Sequence, residues 1–245
     1  APAAATRLPE VPASDAPWEQ RRTRQLWRSL PGDVTARLLA ACRAEGTTMQ
    51  GALTAAAAAA MSSAIGGNPL LGVTTFVNCR PAAGRDPRSL GCCVGFTNQA
   101  LSMDGSFWGA ARRYRKDLAA QMKAGWHLWM VLMPGAISYH MFRGMWKQDL
   151  KKGRVPCKWQ NAIGISNRGA YGPATASRRV TAVHFARQCR ACVHGELLQV
   201  NACSVHGTCC LTVCYVSPLC PDALAESLAD EMLRQLRDAA GPGAG

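Results

Sequence analysis

The chain has 245 residues, with 28 Lys+Arg against 15 Asp+Glu, for a formal net charge of +13. Hydrophobic residues make up 48% and charged residues 18%, which excludes a disordered polyelectrolyte. The length allows one large domain or two small ones with a sizeable core, and 12 Cys are too few for a disulfide scaffold.

Residues 1–18 form a Pro/Ala-rich linker without the continuous apolar run of a signal peptide. With Ala rather than Met in first place, this opening suggests a piece of a longer chain. Arg22–Ser29 alternates loosely and reads as a strand. Pro31-Gly32-Asp33 opens a helix with Asp33 as N-cap and Val34, Leu38, Leu39 and Cys42 on one face. Gly46 ends it. Thr47 or Thr48 caps an Ala-rich helix that Gly66-Gly67 stops. Leu71–Cys79 is β-branched and apolar, a buried strand. Gly91–Met103 suggests a second extended segment. Asp104 or Ser106 starts a helix with Trp108, Ala111, Tyr114, Leu118 and Met122 on one face.

Ala124–Phe142 is the longest apolar stretch and approaches a membrane span in length. It holds Pro134, Gly135, His127 and His140, so it reads as a buried helix or a tunnel wall rather than a span. Strands follow at Gln160–Ile165, Arg179–Phe185, Glu196–Ala202 and Thr208–Val216. The last two join in a hairpin across Val205-His206-Gly207. Asp222–Ala239 closes the chain as an amphipathic helix with Leu224, Leu228, Met232 and Leu236 on its stripe. Residues 241–245 read as a disordered tail. Strands mixed with helices define an α/β class with one main mixed sheet.

Basic residues come in short runs, notably Arg112, Arg113, Arg115 and Lys116, and Lys147, Lys151, Lys152 and Arg154. Such charge suits solvated faces, an anionic cofactor or nucleic acid. No recognised nucleic-acid module accompanies it, and aromatics are only 7%, so no nucleic-acid partner is expected. Cys189-x-x-Cys192 has zinc-type spacing, but the second pair that a structural site needs is missing, so no metal is expected. Cys209 and Cys210 are adjacent and must point to opposite faces of a strand. Cys210, Thr212 and Cys214 alternate with Leu211 and Val213 as strand packing. Reduced, buried thiols fit best, with zinc or a disulfide as alternatives. None of His127, His140, His184, His194 and His206 lies in a catalytic motif, and each reads as a core or turn residue.

The segment most suggestive of a site is Asn161–Tyr171, NAIGISNRGAY. Its strand ends in Ser166-Asn167, followed by Arg168-Gly169. Polar groups at a strand end can aim donors into a crevice, as a developing oxyanion requires. A plain turn after a buried strand is the alternative.

Six segments, in order, carry a resemblance. They are LLAACRAEGTTMQGALTAAAAAA (38–60), VNCRP (77–81), LGCCVG (90–95), FWGAARRY (107–114), ISNRG (165–169) and LTVCYVSPLCPDALAESL (211–228). Together, over about residues 19–240, they resemble the C-terminal lobe of the condensation-domain and alcohol acetyltransferase superfamily, with its chloramphenicol acetyltransferase-like fold. The resemblance implies a mixed sheet with flanking helices and a tunnel shared with an N-terminal lobe. It implies an acyl-CoA or carrier-bound acyl donor as substrate, with no bound cofactor, and an alcohol or amine acceptor.

In that superfamily a His-His-x-x-x-Asp-Gly motif in the N-terminal lobe supplies the general base. This sequence has no adjacent His pair, so the resemblance implies that the base comes from the missing lobe. It further implies an oxyanion contact at Ser166 with Asn167 beside it, a tunnel lining at Arg168 and Gly169, and a structural pair in Asn78 and Arg80. The expected location is cytoplasmic, without a membrane span. The competing reading is a non-catalytic acyl- or CoA-binding or scaffolding module of the same fold.

Overall fold

The structure is a computed structural model that describes residues 20–66, 70–86, 89–91, 93–128, 163–171, 182–186 and 196–242. The elements in chain order are β1 (Arg22–Leu30), α1 (Gly32–Ala44), α2 (Met49–Ile65), β2 (Leu71–Asn78), β3 (Val94–Leu101), α3 (Phe107–Lys123), β4 (Ile163–Tyr171), β5 (Leu198–Val205), β6 (Thr208–Ser217) and α4 (Asp222–Ala240). The linker at 1–18, most of the apolar stretch, Cys189, Cys192, His140, His194 and residues 243–245 of the tail lie outside the described residues.

The six strands form one mixed sheet in the order β1-β6-β5-β4-β2-β3. β4 runs parallel to β2 and β5, and the remaining neighbours are antiparallel. The hairpin between β5 and β6 turns on two residues, His206 and Gly207, with φ of 47° and 82°. Two consecutive positive φ values match the right-handed twist of the strands that they join. The outer strand β1 exposes Arg22 and Arg24, charges that discourage edge-to-edge pairing.

One face of the sheet is the apolar core. Ile163, Leu198, Val200 and Val213 meet Ala57 and Ala60 of α2 and Leu228, Ala229 and Met232 of α4 around a void of about 10 Å³. That space is the size of one water and too small for a ligand. Each large apolar side chain buried there contributes about 1.5–3 kcal/mol. Helix α2 is buried along most of its length, because its alanines let β4, α3 and α4 approach closely. Arg28 of β1 ties α4 to this face through Glu226 at 2.6 Å and Asp230 at 2.7 Å.

Helix boundaries follow local chemistry. Thr48 caps α2 by accepting from the Gly51 amide, and Ser106 caps α3 by accepting from the Gly109 amide. Helix α1 departs from expectation. It begins at Gly32 behind Pro31, and no side chain caps it. Asp33 therefore lies inside the first turn, where it favours the positive helix end and pairs with Arg37 at 2.9 Å. On α3, Ala111 and Tyr114 are buried but Met122 is exposed, because the helix reaches past the edge of its support. Among the described residues no helix is long and apolar enough to cross a membrane. Of the strand expected at Arg179–Phe185, residues 182–185 are described and do not form one: Val183, His184 and Phe185 contact side chains from four strands of the sheet rather than joining its ladder.

Candidate functional site

The sheet's other face is polar. The registers place Ser166 of β4 beside Asn201 of β5, Asn201 opposite Thr212 of β6, and Thr212 opposite Trp27 of β1. The next row holds Asn98, Thr74, Gly164, Gln199, Cys214 and Gln25. Neighbouring strands lie about 4.8 Å apart, so Ser166 and Thr212 are separated by about 10 Å. Thr74, Gln199, Asn201 and Thr212 are all buried, and buried polar groups require partners. Gln199 Nε2 donates to Asn201 Oδ1 at 3.2 Å, and Asn201 Nδ2 donates to the Cys214 sulfur at 3.6 Å. Thr74 Oγ1 donates to Asn98 Oδ1 at 3.3 Å. A side chain on Gly164 would meet Glu196 Cγ at 2.9 Å, so this glycine is the space in which the carboxylate arm lies.

Residues 182–186 cross this face and are clipped to four strands. The His184 ring stacks on Trp27 of β1 at 5.8 Å, and its Nδ1 lies 3.1 Å from Thr212 Oγ1 of β6. The Cys203 thiol of β5 donates to the Val183 carbonyl at 3.0 Å. Phe185 lies 4.2 Å beneath the Arg168 guanidinium and 6.0 Å from the Tyr171 ring, both of β4.

The expected strand end after Ser166 is instead a bulge. β4 continues to Tyr171, with Asn167 opposite Ala202 and Ala170 opposite Ser204. One extra residue is thus accommodated in β4, and Gly169 within it has φ of 77°, a conformation that glycine adopts without steric cost. Asn167 Oδ1 accepts from the Gly169 amide at 2.9 Å and braces the bulge. Without the extra residue, Tyr171 would point to the helix-covered face. With it, Ser166, Arg168 and Tyr171 all belong to the polar face.

Ser166 is half-buried and Arg168 exposed. A serine hydroxyl there is one donor with free rotation, beside the buried amide of Asn201. Asn78 and Arg80 lie elsewhere, at the base of the β2–β3 loop. Asn78 Oδ1 accepts from the Arg80 amide at 3.1 Å, while Arg80 Nε and Nη2 donate to the Ser89 and Gly91 carbonyls at 3.2 and 2.7 Å. These bonds organise a loop and do not reach the Ser166 row.

The polar face also holds Asn201 and Gln199, which the expectations above do not name, and His184, expected only as a core or turn residue. Asn201 and Gln199 carry a signal, two amides inside an otherwise apolar strand. His184 carries none, because its partners lie on β1 and β6. Thr212 and Cys214 do more than pack, since both take part in the hydrogen bonds of the polar face. The basic run on α3 is also not simply solvated: Arg115 donates to the Gly46 carbonyl at the end of α1, Arg113 donates to the Ser102 and Asp104 carbonyls, and Arg112 pairs with Glu45. Among the described residues no cluster of three or more His, Cys, Asp or Glu side chains could hold a metal.

Comparison with known proteins places this geometry. No protein-family model and no curated protein matches the chain. Solved structures do. TRI3 trichothecene 15-O-acetyltransferase from Fusarium sporotrichioides superposes with a TM-score of 0.66 at 12% identity, over 89% of this chain and 47% of that one. The PapA2 acyl transferase gives 0.61 at 17% identity, over 96% and 48%. The condensation domain responsible for chain release from the enacyloxin polyketide synthase gives 0.61 at 12%, over 91% and 42%.

The fold is therefore the chloramphenicol acetyltransferase-like one shared by condensation domains and acyltransferases. Within that class, the chain spans about half the length of the structures it matches. At these identities the likeness is one of fold.

Proposed function

We propose that the chain is the C-terminal lobe of an acyltransferase that moves an acyl group from acyl-CoA, or from a carrier-bound thioester, to an alcohol or amine. The observation that carries this reading is the Ser166–Asn201–Thr212 row on the one sheet face that the helices leave to polar side chains. In the reading, that face is one wall of a crevice closed by the upstream lobe. The acceptor attacks the thioester carbonyl, and a tetrahedral oxyanion forms. Ser166 donates a hydrogen bond to it, Asn167 shapes the bulge that holds Ser166 in place, and Arg168 and Gly169 line the exit. The general base comes from a His-His-x-x-x-Asp-Gly motif in the upstream lobe, and the enzyme works in the cytoplasm. Support comes from the shared fold, the half-length match and the position of Ser166.

The test joins this chain to the coding sequence upstream of it and measures acyl transfer from acyl-CoA. Ser166→Ala should lower kcat by roughly tenfold to several hundredfold with little change in KM, as loss of one oxyanion donor does. Unchanged turnover would remove Ser166 from the site. CoA binding without transfer, by a joined protein that lacks the histidine motif, would identify a non-catalytic binding module instead.

A further inference from the structure

A pair of thiols outside the polar face has its own chemistry. The β2–β3 ladder ends at Asn78 opposite Val94. One step beyond, the Cys79 amide donates to the Cys93 carbonyl at 2.8 Å. The two cysteines are therefore directly opposite, and opposite residues of an antiparallel pair point to the same side. Hydrogen-bonded antiparallel partners have Cα atoms about 5.5 Å apart, inside the about 4.4–6.8 Å window of disulfides. Both are free thiols, Cys79 buried and Cys93 half-buried. The Cys79 sulfur leans over Gly95, where an added Cβ would meet it at 2.7 Å. Gly95 therefore leaves it room, and one χ1 change carries it toward Cys93.

We propose that Cys93 and Cys79 are a thiol-modification site for low-molecular-weight disulfides of the glutathione type, with Cys93 the entry thiol and Cys79 the resolving one. The Cys93 thiolate attacks one sulfur of the small disulfide and expels the other as a thiolate. The Cys79 thiolate then attacks the Cys93 sulfur of the mixed disulfide and expels the second small thiolate. Two protein thiols are oxidised to one disulfide, the small disulfide is reduced to two small thiols, and these carry away the two protons. Accessibility sets the order: Cys93 is half-buried and reachable, whereas Cys79 is buried, and that burial holds its thiol above its ordinary value. The product closes the base of the loop that Arg80 clamps through Ser89 and Gly91.

The experiment incubates the purified chain with millimolar glutathione disulfide, quenches with acid and maps the disulfides by peptide mass spectrometry. The expected product is a Cys79–Cys93 bridge, two hydrogens lighter than the reduced pair, formed through a transient glutathione adduct on Cys93 and reversed by dithiothreitol. Cys79→Ala should stop the reaction at the Cys93 adduct. Cys93→Ser, at a half-buried position that tolerates the change, should slow glutathione incorporation at Cys79 by about tenfold or more. A Cys93 adduct that persists in the unsubstituted chain, a bridge from Cys79 to any other cysteine, or failure of both thiols to react in the folded protein overturns the proposal.

Discussion

The hydroxyl oxygens of Tyr114 and Thr75 lie 2.6 Å apart in the core between α3 and β2. Thr75 spends its one proton on Gln99 Oε1 at 2.9 Å, so Tyr114 is the donor to Thr75. Gln50 Nε2 in turn donates to Tyr114 at 3.1 Å, and Gln99 Nε2 donates to Thr97 at 2.6 Å. The result is a single directed chain from α2 through α3 to β2 and β3. Each bond polarises the next in a low-dielectric core. Burial also holds the Tyr114 phenol above its ordinary value.

Thr75→Val keeps the volume but strands the Tyr114 proton and a Gln99 oxygen. A loss of about 1–3 kcal/mol in urea-unfolding free energy is expected. Tyr114→Phe should cost a similar amount. The double variant should cost less than the sum, because both singles break the same bond. Additive costs would show that the two hydroxyls do not act together.

The bulge in β4 rests on the positive φ of Gly169. Gly169→Ala places a Cβ in a left-handed conformation and should cost about 1–2 kcal/mol, with Gly169→Val costing more. The near-ultraviolet circular dichroism of the Tyr171–Phe185 pair should weaken in both, since the bulge sends Tyr171 to the polar face. A Gly169→Val variant as stable as the parent would contradict this account.

Among the described residues, Thr212 supplies one of the contacts that hold residues 182–186 to the sheet, through His184. Thr212→Val removes it without changing the shape of the strand. Amide hydrogen exchange should accelerate in 182–186, while exchange in β5 and β6 stays slow. Equal acceleration across β6 would mean that Thr212 supports the sheet rather than the crossing segment.

Buried thiols make the fold sensitive to alkali. Burial pushes Cys42 from 9.0 up to about 11, and Cys209 and Cys220 up to about 12. The folded chain therefore keeps these protons where the unfolded chain releases them. Their contribution is fully present below about pH 9 and is lost as pH rises from there through 11 and 12. Urea-unfolding midpoints should fall steeply above about pH 9, and Cys42→Ala should flatten that fall. A flat profile to pH 11 would show that these thiols titrate normally in the folded chain.

Much of the framework was legible along the chain, because strands, caps and helix faces depend on residues close together in sequence. The Thr48 and Ser106 caps, the Ala-rich helix, the β-branched β2 and the His206-Gly207 hairpin are all local patterns. The order of segments also pointed to the fold that the solved structures share. Local reasoning failed where two local signals compete, as at Asp33, where the helix starts at Gly32 with Pro31 in the N-cap position, two residues before the expected one. It failed again after Ser166, where Ser166-Asn167 followed by Gly169 reads as a strand end but forms a bulge inside β4.

What tertiary structure alone decided is the composition of the polar face. Register set Ser166 beside Asn201 and Thr212, one extra residue in β4 turned Tyr171 to their side, and the crossing at 182–186 brought His184 onto Thr212 and Trp27. Sheet registers pair residues far apart in sequence, and a shift of one position reverses every side chain. The chain encodes that choice only in the summed packing of both faces, and no short stretch of it carries the answer.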